Sequence, residues 1–180
     1  MHRYIIAVAA TVLACTSSEP APTSGMRADS AVYAAVLDSL RWNADMVMVV
    51  REFTSLPPAP NDRGPDNRWL IGKDSPITLA LLTALEDAEP AHSSLEAAMG
   101  RLAGVKYVDS TAAGEIPLPR SGGQRLVRFS AIGYSADLSE ALLYASMGCG
   151  ALCGMGSYYV VRRQSDGTWR VGAQLVRFVS

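Results

Sequence analysis

Ser157-Tyr158-Tyr159-Val160-Val161-Arg162-Arg163, then Gln164-Ser165-Asp166-Gly167, then Thr168-Trp169-Arg170-Val171-Gly172-Ala173: this stretch decides the fold. The first arm is crowded with aromatic and β-branched residues, which suit a pleated, half-buried surface. In the second arm Trp169, Val171 and Ala173 alternate with other residues, the period of a strand. Asp-Gly between two such runs marks a tight hairpin, because glycine takes up the positive φ that the turn requires. The alternation falls out of step at Leu175 and Phe178, which predicts a bulge. Tyr158 and Tyr159 are neighbours and so point to opposite sheet faces, one expected in the core and the other exposed.

Working outward, Leu126 to Ile132 alternates, Ala141 to Met147 is apolar, and both precede the hairpin. The C-terminal part therefore reads as an antiparallel meander of about four strands. Met46 to Val50 is an unbroken apolar run, expected as a strand buried on both faces, and Val105 to Val108 as a short strand. Three helices are expected ahead of the meander. Asp29 or Ser30 caps the first near Ala31, with Val32, Val36 and Leu40 on one face beside Tyr33 and Leu37. Ser75 caps the second, Pro76 fits its first turn, Ile77, Leu81 and Leu85 line its buried side, and Pro90 stops it. Ser93 and Glu96 have capping-box spacing for a third, which runs to Leu102 and ends at Gly104. Leu56 to Arg68, with four prolines, and Thr111 to Gly123 read as loops. Helices first and a meander last define an α+β domain, its N-terminal helices packed on one face of a C-terminal antiparallel sheet.

The other end of the chain reads differently. Arg3 precedes an apolar run from Ile5 to Ala10, and Val12-Leu13-Ala14 leads directly to Cys15. The run is too short to span a bilayer, which takes about 20 apolar residues. A short basic start and a brief apolar stretch are the pattern of a secretory signal. The branched residue, the small residue and the cysteine resemble the lipobox of bacterial lipoproteins, in which the cysteine is lipidated and becomes the mature N-terminus. Residues 1–14 are thus expected as signal peptide. Residues 15–28, lipidated at Cys15 and rich in Ser, Thr and Pro, are expected as a flexible tether, and 29–180 as one domain. Two or three acyl chains give stable attachment where one alone is marginal. The implied location is the exported side of the cell envelope, and Thr16 after the cysteine leans towards an outer membrane.

Formal net charge is −1, and Lys73 and Lys106 are the only lysines. That composition argues against nucleic acid as a partner, since phosphate binding needs a clustered basic surface. The expected partners are membrane lipid through Cys15 and an unidentified protein or small ligand.

The sharpest local feature is Gly148-Cys149-Gly150-Ala151-Leu152-Cys153-Gly154-Met155-Gly156, read as a compact irregular loop between two strands. With Cys15 lipidated, Cys149 and Cys153 remain as a pair in an oxidising compartment, either a disulfide or two buried thiols. A disulfide closing so small a loop is worth about 2 kcal/mol in the chain-entropy model, a local staple. A redox pair would favour Cys-x-x-Cys at a helix start, and zinc would need two more ligands where only His92 remains. A phosphate-binding glycine loop should lead into a helix, and this one leads into a strand. No metal or cofactor is therefore expected. His92 lies at a helix entry and reads as a surface or capping residue; no Gly-x-Ser-x-Gly elbow supports a triad around it. Gly72-Lys73-Asp74 lacks the upstream glycine spacing and the Ser or Thr of a Walker motif. Glu86, Asp87 and Glu89 gather near a helix C-terminus, where the dipole disfavours them, and read as a solvated face. Tyr134, Tyr144, Tyr158, Tyr159, Trp169 and Phe178 could form a ligand-binding aromatic patch, but cross-strand packing is the favoured reading.

Ser130-x-x-Gly133-Tyr134, Ala141-Leu142-x-Tyr144, Cys149-Gly150-x-Leu152-Cys153-Gly154-x-Gly156-x-Tyr158 and Gly167-x-Trp169 form a pattern similar to the C-terminal portion of a group of uncharacterised secreted bacterial proteins. The helix Val32 to Leu37 and the strand ending at Thr54 resemble that group's N-terminal part. The resemblance implies a shared architecture and brings no activity or catalytic residue with it. The expectation is a lipid-anchored, non-catalytic binding or accessory domain, with no catalytic residue assigned. The alternative is an envelope hydrolase whose site is assembled from scattered residues.

Overall fold

The computed structural model describes residues 24–41, 46–57, 67–115, 124–150 and 153–179. The signal peptide, Cys15 and the tether up to residue 23 lie outside the described residues. The chain order is α1 (Ser24–Leu40), β1 (Met46–Val50), a 3-10 turn (Asn67–Leu70), α2 (Leu79–Glu86), α3 (Leu95–Met99), β2 (Val105–Val108), α4 (Ser110–Glu115), β3 (Gln124–Phe129), β4 (Gly133–Tyr134), β5 (Glu140–Gly150), β6 (Cys153–Arg163) and β7 (Trp169–Val179). The α+β class stands, but the sheet has seven strands, not four, and is mixed. Its order is β2-β1-β3-β5-β6-β7, with β4 paired to β5. β1 runs parallel to both β2 and β3, while β3, β5, β6 and β7 form the expected antiparallel meander.

Helices cover both faces of this sheet, where one covered face was expected. On the first face Val47, Val49, Val127, Phe129, Leu143, Tyr159 and Val161 pack beneath Val32, Tyr33, Val36 and Leu37 of α1 and Leu95 and Met99 of α3. On the second face Leu142, Tyr144, Tyr158 and Val160 meet Leu81, Leu82 and Leu85 of α2, with Leu70 and Ile77. Met48, Val50 and Leu126, farther along that face, form a smaller cluster with Val108 and Ala113. This corrects the expectation for the tyrosine pair. Tyr158 and Tyr159 do point to opposite faces, yet they are 0% and 1% exposed, because each face has its own helical layer. Burial pushes both phenols up to about 12.

The C-terminal hairpin turns at Gly167, whose φ of 83° suits glycine. The expected bulge is present twice: the β6–β7 register shifts between Val160 and Val161 and again between Gly156 and Ser157. Trp169 and Val171 consequently pack with the first face, and Ala173 and Leu175 with the second. The Gly- and Cys-rich stretch is not an irregular loop. β5 continues to Gly150 and β6 starts at Cys153, with Gly148 opposite Gly154 and Gly150 opposite Cys153. Glycine lacks a side chain to clash across the ladder, so the strands pair almost to the hairpin's end.

The helix boundaries shift for identifiable reasons. α1 begins at Ser24, not near Ala31, so it takes in residues 24–28 that read as tether. Asp29 and Ser30 are then interior to the helix, and Ser30 Oγ donates to the Met99 carbonyl. The cap of α2 is Thr78, whose hydroxyl accepts from Leu81 N at 3.2 Å. Ser75 instead shapes the preceding turn, accepting from Ile77 N and donating to the Leu70 carbonyl. Ser94, not Ser93, caps α3 by accepting from Ala97 N, and the helix ends at Met99 rather than Leu102. The carboxylate of Glu96 is drawn to Arg51, a partner that no local pattern reveals. Part of the expected loop at 111–123 is α4. β4 crosses close under α2: a Cβ on Gly133 would fall inside the backbone of Ala84 and Leu85. Among the described residues, no helix is long and apolar enough to cross a membrane.

Candidate functional site

β1 and β3 are parallel neighbours, and the chain continues from their carboxyl ends into Phe53–Leu56 and Ser130–Ala131. Thr54 N donates to the Phe129 carbonyl at 2.8 Å and ties the two exits together. Between them and the C-terminal end of α2 lies a cleft of about 330 Å³, lined also by Leu85, Glu86, Ala88 and Pro90. Phe53 packs against the first core and Leu56 against the second, so the segment 53–56 passes from one layer to the other at this end of the sheet. The next strand after β1 in the chain, β2, lies on one side of β1, whereas β3 lies on the other and leads on to β5. Reversals of strand order at the carboxyl ends of parallel strands are where open sheets receive their ligands.

The polar atoms of the cleft divide into occupied and available ones. Ser130 Oγ accepts from Tyr144 N and donates to the Ala131 carbonyl, so its hydroxyl holds the wall together. The Ser130 carbonyl accepts from the Tyr33 hydroxyl at 3.0 Å. Glu86 Oε1 accepts a long contact of 3.4 Å from Asn67 Nδ2, and Asn67 Oδ1 accepts from the buried Tyr158 hydroxyl.

Of the residues considered from the sequence, His92 is neither a surface nor a capping residue. Its ring is 10% exposed, and Nε2 lies 3.3 Å from Oδ2 of Asp29, which is 16% exposed. This is a close approach and not a hydrogen bond, since Nε2 has no hydrogen-bond partner. The other Asp29 oxygen accepts from the Tyr134 hydroxyl at 2.6 Å. Burial and this carboxylate raise the Tyr134 phenol well above its ordinary range, and burial does the same to Tyr33 beside it. Three distant segments are pinned here, α1, the segment before α3, and β4. His92 is not among the residues that line the cleft.

A second polar cluster straps the carboxyl ends of β1 and β2. Arg51 Nε donates to Glu96 Oε2 at 2.8 Å and Nη1 to Asp109 Oδ1 at 2.9 Å, while Glu52 Oε2 accepts from Ser110 N. These carboxylates hold the guanidinium pKa above its ordinary value. The groups are roughly half exposed, so solvent screening leaves each pair worth little to stability.

The aromatic residues divide as the packing reading expects: Tyr144 and Tyr158 pack as a tilted pair at 5.2 Å inside the second core, and Tyr134 meets Trp169 edge-on at 6.0 Å. Phe178 is the exposed member. Cys149 stands in β5 where the register slips, and Cys153 opens β6; the Cys149 side chain lies outside the described residues. Among the described residues, no group of three or more His, Cys, Asp or Glu is placed to hold a metal ion. The sequence pattern marks neither the cleft nor Arg51; it offers Asp29 only as a helix cap and Tyr134 only as a member of the aromatic set. Their parts lie tens of residues apart and follow no motif. Comparison with protein-family models, with curated proteins and with solved structures returned no match.

Proposed function

We propose that this chain is a lipid-anchored cell-envelope domain that binds a small ligand in the cleft beyond β1 and β3 and performs no chemistry on it. One observation carries the binding reading: a concave, largely apolar site lies at the carboxyl ends of adjacent parallel strands. Among the described residues that line it, no histidine stands beside its hydroxyl groups to serve as a base. The anchor rests on residues 1–15, where a short apolar run leads to Cys15. Amide shifts of the isotope-labelled chain against a library of small compounds test the site. Clustered shifts at residues 54–56, 88 and 130–131 are expected, and hits that consistently avoid those residues would sink the reading. Palmitate incorporation that disappears in Cys15→Ala is the expected result for the anchor; equal labelling of that variant rejects it.

The same reading includes a disulfide between Cys149 and Cys153. In its support, the β5–β6 pairing sets Gly150, the residue after Cys149, opposite Cys153 at the hairpin's end. Thiol titration of exported, unfolded protein should find neither of them free, and finding both free rejects the bond.

A further inference from the structure

Among the described residues, Glu86 is the only charged side chain lining the cleft. It is the last residue of α2, and it faces a wall otherwise made of Phe53, Leu56, Leu85, Ala88, Pro90 and Ala131, with the hydroxyls of Thr54 and Ser55 at one side. Its sole polar contact among the described residues is the long one from Asn67, and no Lys or Arg there pairs with it. The last turn of α2 has no basic residue. A carboxylate in that position works against the negative end of the helix dipole. Such a breach of local preference, without a compensating partner, is characteristic of residues retained for binding. A cation placed there would neutralise Glu86 and meet the favourable end of the helix together. Among the described residues of the cleft wall an anion would find no positive side chain, and the one carboxylate there is too few ligands for a calcium ion.

We propose that the cleft takes a small organic cation: a primary ammonium or guanidinium head seated on Glu86, and a compact apolar body against Leu56, Leu85 and Ala131. This rests on the ligand-binding reading above and specifies its chemistry. The volume of about 330 Å³ stands at the lower end of the range of ligand pockets, which suits a single ring or a short branched chain.

Benzylamine, benzyl alcohol and benzoate share one apolar body and differ in the charge of the head. Each is titrated into the isotope-labelled full chain at low salt, following the amides of Ala88 and Ala131. Benzylamine is expected to bind about tenfold more tightly than benzyl alcohol, as befits a charge-assisted hydrogen bond, with benzoate weakest. That advantage should vanish in Glu86→Gln and persist in Glu89→Gln, a neighbouring carboxylate that does not line the cleft. Equal binding of benzylamine and benzyl alcohol at those amides, or an advantage that survives Glu86→Gln, overturns the cation assignment and leaves the cleft standing as a site. If none of the three shifts those amides, the cleft reading fails and the assignment falls with it. Glu86 is exposed, so the Gln variant is expected to fold, and unchanged shifts elsewhere in the chain verify that it has.

Discussion

The two faces of the sheet are built on different principles. On the first, the seventeen-residue α1 lies along the sheet with α3, and the buried side chains form one continuous cluster. On the second, the eight-residue α2, the six-residue α4 and a single 3-10 turn share the work, and the buried side chains fall into two separate clusters. A long helix seals a surface; short ones leave seams. The candidate site follows this difference, since the cleft takes Leu85, Glu86, Ala88 and Pro90 from the end of α2 and the chain beyond it. The face with the fragmented cover is the one that contributes a binding wall.

The strongest test of this comparison uses adjacent residues. Tyr158→Ala and Tyr159→Ala should each cost about 3–5 kcal/mol in chemical denaturation, because each removes an aromatic ring from a different filled layer. A near-neutral result for either variant would mean that its face is open and that the two-layer picture is wrong. Gly133→Ala comes next, at about 2–3 kcal/mol, because the added methyl forces α2 away from β4. An unchanged denaturation midpoint would show that α2 is looser on the second face than described.

Smaller effects are expected in the turn between β4 and β5. Leu138 has φ of 55° and an exposed side chain, so Leu138→Gly should stabilise by about 1 kcal/mol as the left-handed strain is released. A loss of stability would instead assign Leu138 a packing role on this edge. Asp137 accepts from the hydroxyls of Ser135 and Ser139 and from Ser139 N, and these bonds hold its carboxyl down to about 2. A depressed folded-state pKa gives stability that is complete above the ordinary carboxyl range near 4 and disappears as pH falls towards 2. The difference in melting temperature between the native chain and Asp137→Asn should therefore shrink over that interval. A pH-independent difference would mean that the carboxylate does not act through these bonds.

Much of the meander was legible because strand pairing leaves a period of two, and because Asp166-Gly167 announces its turn. Met46 to Val50 was equally clear, since a strand between parallel neighbours is buried on both sides and needs no alternation. The tyrosine pair marks a limit of such patterns. Alternation assigns residues to faces, but whether a face is covered depends on helices elsewhere in the chain. Ser93 and Ser94 mark another, because two adjacent hydroxyls offer equivalent caps and the choice between them is made by tertiary contacts. Glycines at 148, 150, 154 and 156 suggested an irregular loop, although small residues are also compatible with a tight ladder. The cleft was the least legible part. It combines residues 53–56, 85–90 and 130–131, which only the sheet order brings together.

The two bulges of β7 have a consequence for how the chain tolerates change in length. Before the first slip, odd-numbered residues serve one layer; after it, Ala173 and Leu175 serve the other. The strand thus changes phase within a single element, much as a reading frame shifts after one inserted letter. Removing Gly172, the inserted residue, would straighten the ladder and still leave Ala173 opposite Val160 and Leu175 opposite Tyr158, on the layer they already serve, whereas removing Gln174 would bring Leu175 opposite Tyr159, with the wrong layer. For this strand the place of a single-residue deletion decides its severity: harmless to the phase at the bulge, disruptive between the two bulges.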